Sequence, residues 1–303
     1  MDSMHLIPYI DDERLGDYAV SCAKTLRPDA RTDGRAEARS LRRCRRETER
    51  CHALLQKRCG DSPSAPAACE WLLDNHYLLQ REYPGVLRAL ASSGRQRACR
   101  GGLLILELCR ALLQSGNGRL TEERCALFLD GFQSVTVLQR AELLLFPAAL
   151  RAAVLEAIAA ACGSLVQTAE PEKLTPTMEA LFGSLRLIES MDAEALLDEA
   201  DVPGAILARD PTGDYARMDR VTKGEYRLRL ANLAARRGTE EQTLAAELVA
   251  QRRRRGGTSA SCCSRRGDGA VPRSILRRSV LRRSPCCSCS CGTSRASGPS
   301  CCF

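Results

Sequence analysis

The sequence predicts an all-α protein: a multi-helix bundle followed by a disordered Arg-, Cys- and Ser-rich C-terminal tail. Three observations predict it. Aromatic residues make up only 4% of the 303 residues, so Leu and Ala must fill the core, whereas strands favour β-branched and aromatic side chains. Apolar positions recur at spacings of three and four along most of the chain. No stretch alternates with period two between hairpin turns, so no sheet is expected.

Charge and cysteine divide the chain. From Arg252 onward there are 12 Arg and a single acid, Asp268, so the formal net charge of +8 belongs to the tail and the body is slightly acidic. A nucleic-acid surface would interleave basic residues with aromatics. The only aromatic after Arg252 is Phe303, and no nucleic-acid partner is expected. Nine Cys are scattered up to Cys162 and eight crowd between Cys262 and Cys302. The scattered set reads as small buried hydrophobes in a reducing cytoplasm. Asp2, Asp11, Asp12 and Glu13 stand where a signal peptide would be basic and then apolar. The most apolar stretch, 141–163, is interrupted by Glu142, Pro147, Arg151 and Glu156, so no membrane span is expected and the chain reads as cytoplasmic.

Residues 1–34 have weak periodicity, with one short helix over 13–24. Residues 35–58 form an Arg-rich helix whose narrow stripe is Leu41, Cys44, Thr48, Cys51 and Leu55; its Arg residues read as a solvated face. Gly60, Pro63 and Pro66 make a loop. A helix from Ala67 places Trp71, Leu72, Asn75 and Leu79 on one face. Residues 102–114 are apolar at helical spacing. Thr121 is an N-cap, with Glu122 and Glu123 in the first turn, where the helix dipole favours them. Pro147 starts or kinks the helix that reaches Cys162. Thr175-Pro176 opens a helix that buries Met178, Leu181, Phe182, Leu185 and Ile188. Two capping boxes, Thr222 with Glu225 and Thr239 with Gln242, flank the helix stop at Gly238. This gives a weakly ordered segment over 1–34, a helical domain over 35–251 and a tail over 252–303.

The chain lacks the motifs of common chemistries. The three His, namely His5, His52 and His76, have no metal-ligand spacing, and no phosphate loop, dinucleotide fingerprint or nucleophile elbow occurs. No cofactor, metal or catalytic residue is expected. Glu70 and Asp74 share a helix face, but carboxylates for glycoside chemistry approach a ligand from opposite sides.

Two segments are dense in residues that ordinary helices avoid. The first is Glu70-Trp71-Leu72-Leu73-Asp74-Asn75, with the only Trp and an Asp-Asn pair in mid-helix. The second is Asp210-Pro211-Thr212-Gly213-Asp214-Tyr215-Ala216-Arg217-Met218-Asp219, followed by Thr222, Tyr226 and Arg227. By local chemistry the second is a capped turn, with Asp210 as N-cap, Pro211 at the first helical position and Arg217 bridging to a neighbouring acid. Together they resemble the amino-terminal region of the cyclic β-1,2-glucan synthase family, bacterial membrane glycosyltransferases fused to a glycoside-phosphorylase-like domain. Glu70 to Asn75, then Asp210, Pro211, Gly213, Tyr215, Arg217, Met218 and Asp219, then Thr222, Tyr226 and Arg227 match in order. The stretch 120–150 is also similar. The resemblance spans roughly residues 35–249.

It implies a parent enzyme of the bacterial inner membrane that transfers glucose from UDP-glucose into β-1,2-glucan, with activity downstream of the matching region. The Asp-x-Asp and Gln-x-x-Arg-Trp that such a transferase needs do not occur here. The resemblance therefore implies a helical accessory segment whose partners are the downstream catalytic and membrane domains, or glucan. The rival is a free-standing Arg-rich helical protein that binds nucleic acid or anionic membrane through its tail.

The tail also reads as an off-frame translation. Cys codons begin TG and most Ser codons TC. Read one base earlier, these pairs close codons for Leu, Met, Val, Ile or Phe. Cys286 to Cys291 then becomes an unbroken apolar run, as a membrane helix requires. Only Lys24, Lys57, Lys173 and Lys223 stand against many Arg, the bias expected of a GC-rich gene, where such a frame can stay open for long. A soft-metal thiolate cluster over Cys286 to Cys291 is the alternative for this segment. The body is expected to fold without the tail.

Overall fold

A computed structural model describes residues 8–59 and 65–256. Among the described residues the architecture is helical, with one small sheet. In order, α1 is Asp12–Thr25, β1 Ala30–Asp33, α2 Arg35–Cys59, α3 Ala67–Ala91, β2 Arg95–Cys99 and β3 Gly102–Leu103. Then follow α4 Leu104–Ser115, α5 Glu122–Gln133, α6 Arg140–Gln167, a 3₁₀ turn Pro171–Leu174 and α7 Thr175–Ser190. The chain continues through α8 Ala193–Glu199, α9 Val202–Leu207, α10 Asp214–Arg217, α11 Arg220–Arg237 and α12 Glu241–Gly256. The all-α expectation holds. The tail from 257 on, with its cysteine cluster and the off-frame reading, lies outside the described residues, as do 1–7 and 60–64.

The axis of the bundle is α6, with α2, α3, α4 and α7 packed around it. It is long and apolar enough to cross a membrane, and most of it is buried in the protein. A helix apolar on all sides is one that neighbours surround. Three residues that interrupt its apolar run fasten it to β2, α3 and α4. Glu142 binds Arg97 of β2, Arg151 lies 3.2 Å from Glu82 of α3, and Glu156 takes two 2.8 Å bonds from Arg110 of α4. The helix runs through Pro147, which therefore does not start it.

Several expectations need correction. A three-stranded antiparallel sheet exists, in the order β1-β2-β3. Its tight turn is Arg100-Gly101, with φ of +53° and +82°, the two left-handed residues a type I′ hairpin needs. The strands are two to five residues long, too short for alternation to show. Residues 8–34 are more than a weakly ordered lead-in. Leu15, Ala19 and Ala23 of α1 are buried in the main core. At the crossing of α1 and α5, a Cβ on Gly131 would lie 2.7 Å from the Gly16 carbonyl oxygen, so only glycine permits that approach. Buried Arg124 holds the lead-in by hydrogen bonds to the Ile10 carbonyl (3.0 Å) and to Asp12.

Capping was half anticipated. Thr121 accepts from the Arg124 amide and Gly238, at φ +64°, ends α11, as expected. But α11 is capped by Asp219: Thr222 donates its amide (2.9 Å) and its hydroxyl (2.6 Å) to that carboxylate. Asp is as good a cap as Thr, and it stands one residue before the helix. Helix α12 starts at Glu241, with the Glu240 carbonyl accepting from the Leu244 amide, so Thr239 is not its cap. This last helix runs past residue 251 and includes Arg252.

Candidate functional site

The first dense segment sits on α3, where its side chains split between two neighbours. Trp71 and Asn75 face α7. The Trp71 ring stacks on Phe182 (centroids 6.3 Å apart, 14° between planes), with the Arg186 guanidinium 5.9 Å from the indole. Asn75 is buried. Its amide nitrogen donates to the Trp71 carbonyl at 2.9 Å and its oxygen accepts from Arg186. A mid-helix Asn is tolerated here because both ends of its amide are satisfied. Trp71 itself is only half-buried at the edge of the core. Trp71→Ala is therefore expected to cost about 2–3 kcal/mol, less than the 3–5 of a fully enclosed aromatic. Arg42→Ala, on the exposed face of α2, should stay within about 0.5 kcal/mol. Equal effects in urea melts of the two variants would overturn this placement.

Glu70 and Asp74 are exposed and turn the other way, toward α2. With His52, Gln56, Cys59, Ala65 and Leu73 they line a cavity of about 280 Å³. Both carboxylates rise from the same helix, and what faces them from α2 is an imidazole, an amide and a thiol. The arrangement offers polar contacts to a small ligand, without the opposed carboxylates of glycoside chemistry. At the cavity edge His52 stacks on His76, with centroids 3.7 Å apart and 13° between planes. Burial lowers the pKa of both rings; His52 lowers His76 further, and Glu49 opposes. The unfolded chain thus binds more protons just below the ordinary histidine value. Stability from this pair is full above about pH 6.5 and is lost as pH falls through the folded values. The urea midpoint should drop between about pH 7.5 and pH 5.5, and part of that drop should vanish in His52→Gln/His76→Gln. An unchanged pH profile in the double variant would dissociate the pair from acid lability.

The second dense segment is a knot rather than a helix start. Asp210 is not an N-cap. The Gly213 amide donates to the Asp210 carbonyl (2.9 Å), which closes a turn with Pro211 second and Gly213 last. Gly213 is left-handed at φ +65° and only then does α10 begin. The Thr212 hydroxyl bonds the Asp210 (2.6 Å) and Asp214 (2.8 Å) carboxylates. Arg217 binds Asp214 at 3.0 Å, as expected, and Arg252 reaches in from α12 to Asp210 and to the Thr212 hydroxyl (3.0 Å). The Thr212 hydroxyl, then Arg217, hold the Asp214 carboxyl below its usual range; Thr222 does the same for Asp219. Tyr215 is buried edge-on against Tyr226, with centroids 6.3 Å apart, and burial pushes its phenol up to about 12. Met218 is the extended link between α10 and Asp219.

Arg227 lies below this knot and is buried. It donates to Asp201 (2.7 and 2.8 Å) and to Glu241 (3.0 Å), and Glu241 also accepts from the Arg140 amide that opens α6 (3.3 Å). The two dense segments pack on different elements: α3 on α2, α6 and α7, the knot on the α9–α12 group. Sequence reading missed Arg186, Asp201, Glu241 and Arg252, which complete these clusters. Arg252 alone had a signal, since the apolar spacing of Leu244, Ala245 and Val249 continues the helix into the Arg run. No family model matches the chain, and no curated protein matches it.

Proposed function

We propose that this helical unit is the non-catalytic amino-terminal segment of a cyclic β-1,2-glucan synthase-like membrane glycosyltransferase. Its parent would transfer glucose from UDP-glucose into β-1,2-glucan at the bacterial inner membrane, and its partners would be the parent's own downstream domains. One observation carries the reading: the matching residues hold helices to one another. Trp71 and Asn75 clamp α3 to α7. Asp210, Asp214 and Arg217 tie a knot that α12 enters. Arg227 joins α11 to the start of α12 and to Asp201. Residues of that kind define a scaffold, and a scaffold keeps its motif without performing the transfer.

The test is the nucleotide sequence of the locus together with a transfer assay. The frame one base away from the tail should encode apolar spans followed by Asp-x-Asp. The purified chain should incorporate no labelled glucose from UDP-glucose, whereas the product of the longer frame should. Two results would sink the proposal: a neighbouring frame that soon meets a stop, or labelling of this chain alone that is lost in Asp210→Asn or Asp214→Asn.

A further inference from the structure

One face of α2 is basic from end to end. Arg35, Arg39, Arg42, Arg43, Arg46 and Arg50 are exposed and recur at spacings of three and four. Such spacing makes one stripe, and it lies opposite the buried stripe of Leu41, Thr48, Cys51 and Leu55. Exposed Leu54 and Lys57 continue it, so the stripe runs roughly 33 Å along the helix. We propose that this stripe docks the protein on an anionic lipid bilayer, with α2 lying flat along the headgroups.

The protein itself does not neutralise the stripe. Helix α2 has three acids. Glu37 is buried, Glu49 binds Arg45 at 2.8 Å, and Glu47 binds Arg50 at 3.1 Å. Arg35 lies 3.7 Å from Asp33. Among the described residues, Arg39, Arg42, Arg43 and Arg46 take part in no ion pair. Arg81 and Arg220, exposed on other helices, each meet two acids: Glu82 and Glu189, and Glu194 and Asp198. A face that needed only solvation would mix the signs as those do.

A bilayer fits this surface better than a polynucleotide does. The surface potential of anionic lipids attracts each Arg or Lys that comes within a Debye length, by about a five-fold factor in affinity per residue. A straight row brings several of them to one flat surface at once. Leu54, 38% exposed, stands between Arg50 and Lys57 as the apolar contact that an interfacial helix presents to the acyl boundary. The stripe holds no aromatic side chain to stack on bases and no Asn or Gln to read them. The docking does not depend on the glucan synthase reading, and it uses α2 rather than the tail.

The experiment sediments the full chain with phosphatidylcholine vesicles containing about 30% phosphatidylglycerol, against vesicles of phosphatidylcholine alone. The chain should bind the anionic vesicles only, and added salt should release it. Arg39→Gln/Arg42→Gln/Arg46→Gln should weaken binding on the order of 100-fold, and Arg39→Lys/Arg42→Lys/Arg46→Lys should keep most of it, because charge is what the surface attracts. The matched tail variant, Arg277→Gln/Arg278→Gln/Arg282→Gln, should lose far less. Circular dichroism checks that each variant keeps its helices. In the wild type, anionic vesicles should also protect Arg39, Arg42 and Arg46 from phenylglyoxal, mapped by mass spectrometry, which decides the matter even if a variant folds poorly. The proposal is overturned if anionic vesicles do not bind, if the stripe stays open to phenylglyoxal on bound vesicles, or if the glutamine variants of α2 and of the tail lose equally. A duplex oligonucleotide that binds more tightly at the same salt, through the same three Arg, would assign the stripe to nucleic acid and overturn it too.

Discussion

Glu142→Ala is expected to destabilise the protein by about 3–5 kcal/mol, the range for breaking a buried ion pair from one side. The Glu142 side chain is 1% exposed and Arg97 10%. The carboxylate accepts from Arg97 Nε at 2.8 Å and Nη2 at 2.5 Å, and from the Gln139 amide at the start of α6 at 2.8 Å. Without it the guanidinium keeps the Val137 carbonyl and, at 4.0 Å, the half-exposed Glu240. The Gln139 amide also loses its partner. Replacing both members, as in Arg97→Met/Glu142→Leu, should restore most of the loss, because an apolar pair has no charge to desolvate. Urea denaturation followed by circular dichroism, arranged as a double-mutant cycle, measures the coupling. Single variants that each lose less than about 1 kcal/mol would show that the pair does not carry this junction.

Arg227→Met should cost a similar amount, about 3–5 kcal/mol, but locally. The apolar cluster of Leu230, Ala234, Leu244 and Ala245 is separate from the main core. Arg227 is the cation between Asp201 and Glu241, which are 20% and 9% exposed. Removing it leaves two acids facing each other beside a small core. Amide exchange should therefore accelerate through α9, α11 and α12 and stay slow in α4 and α6, as local opening does. Uniform acceleration across the chain would mean that the two clusters unfold as one.

Much of the helical architecture was legible. The stripe Leu41, Cys44, Thr48, Cys51 and Leu55, the Thr121 cap, the Gly238 stop and the buried face of α7 all follow from periods and caps written into neighbouring residues. The dense segments were legible as positions but not as structures. Asp210-Pro211 read as a helix start and is a turn, because Thr212 and Arg252 occupy the Asp210 carboxylate that a cap would use. The cavity under Glu70 and Asp74 was invisible, since its other wall, His52 to Cys59, belongs to a different helix.

The sequence by itself determined the all-helical class, most helix limits and the polar or apolar character of each face. These depend on interactions within about four residues, where a period of 3.6 repeats within a single helix. The tertiary structure decided which polar group meets which. Arg97 with Glu142, Arg124 with Asp12, Arg227 with Asp201 and Glu241, and Asn75 with Arg186 are pairs 14 to 112 residues apart. It also decided the sheet, whose β1 finds β2 across two helices. Such contacts leave no period in the chain, because they form only once packing has brought buried groups together and desolvation has made an unpaired partner costly.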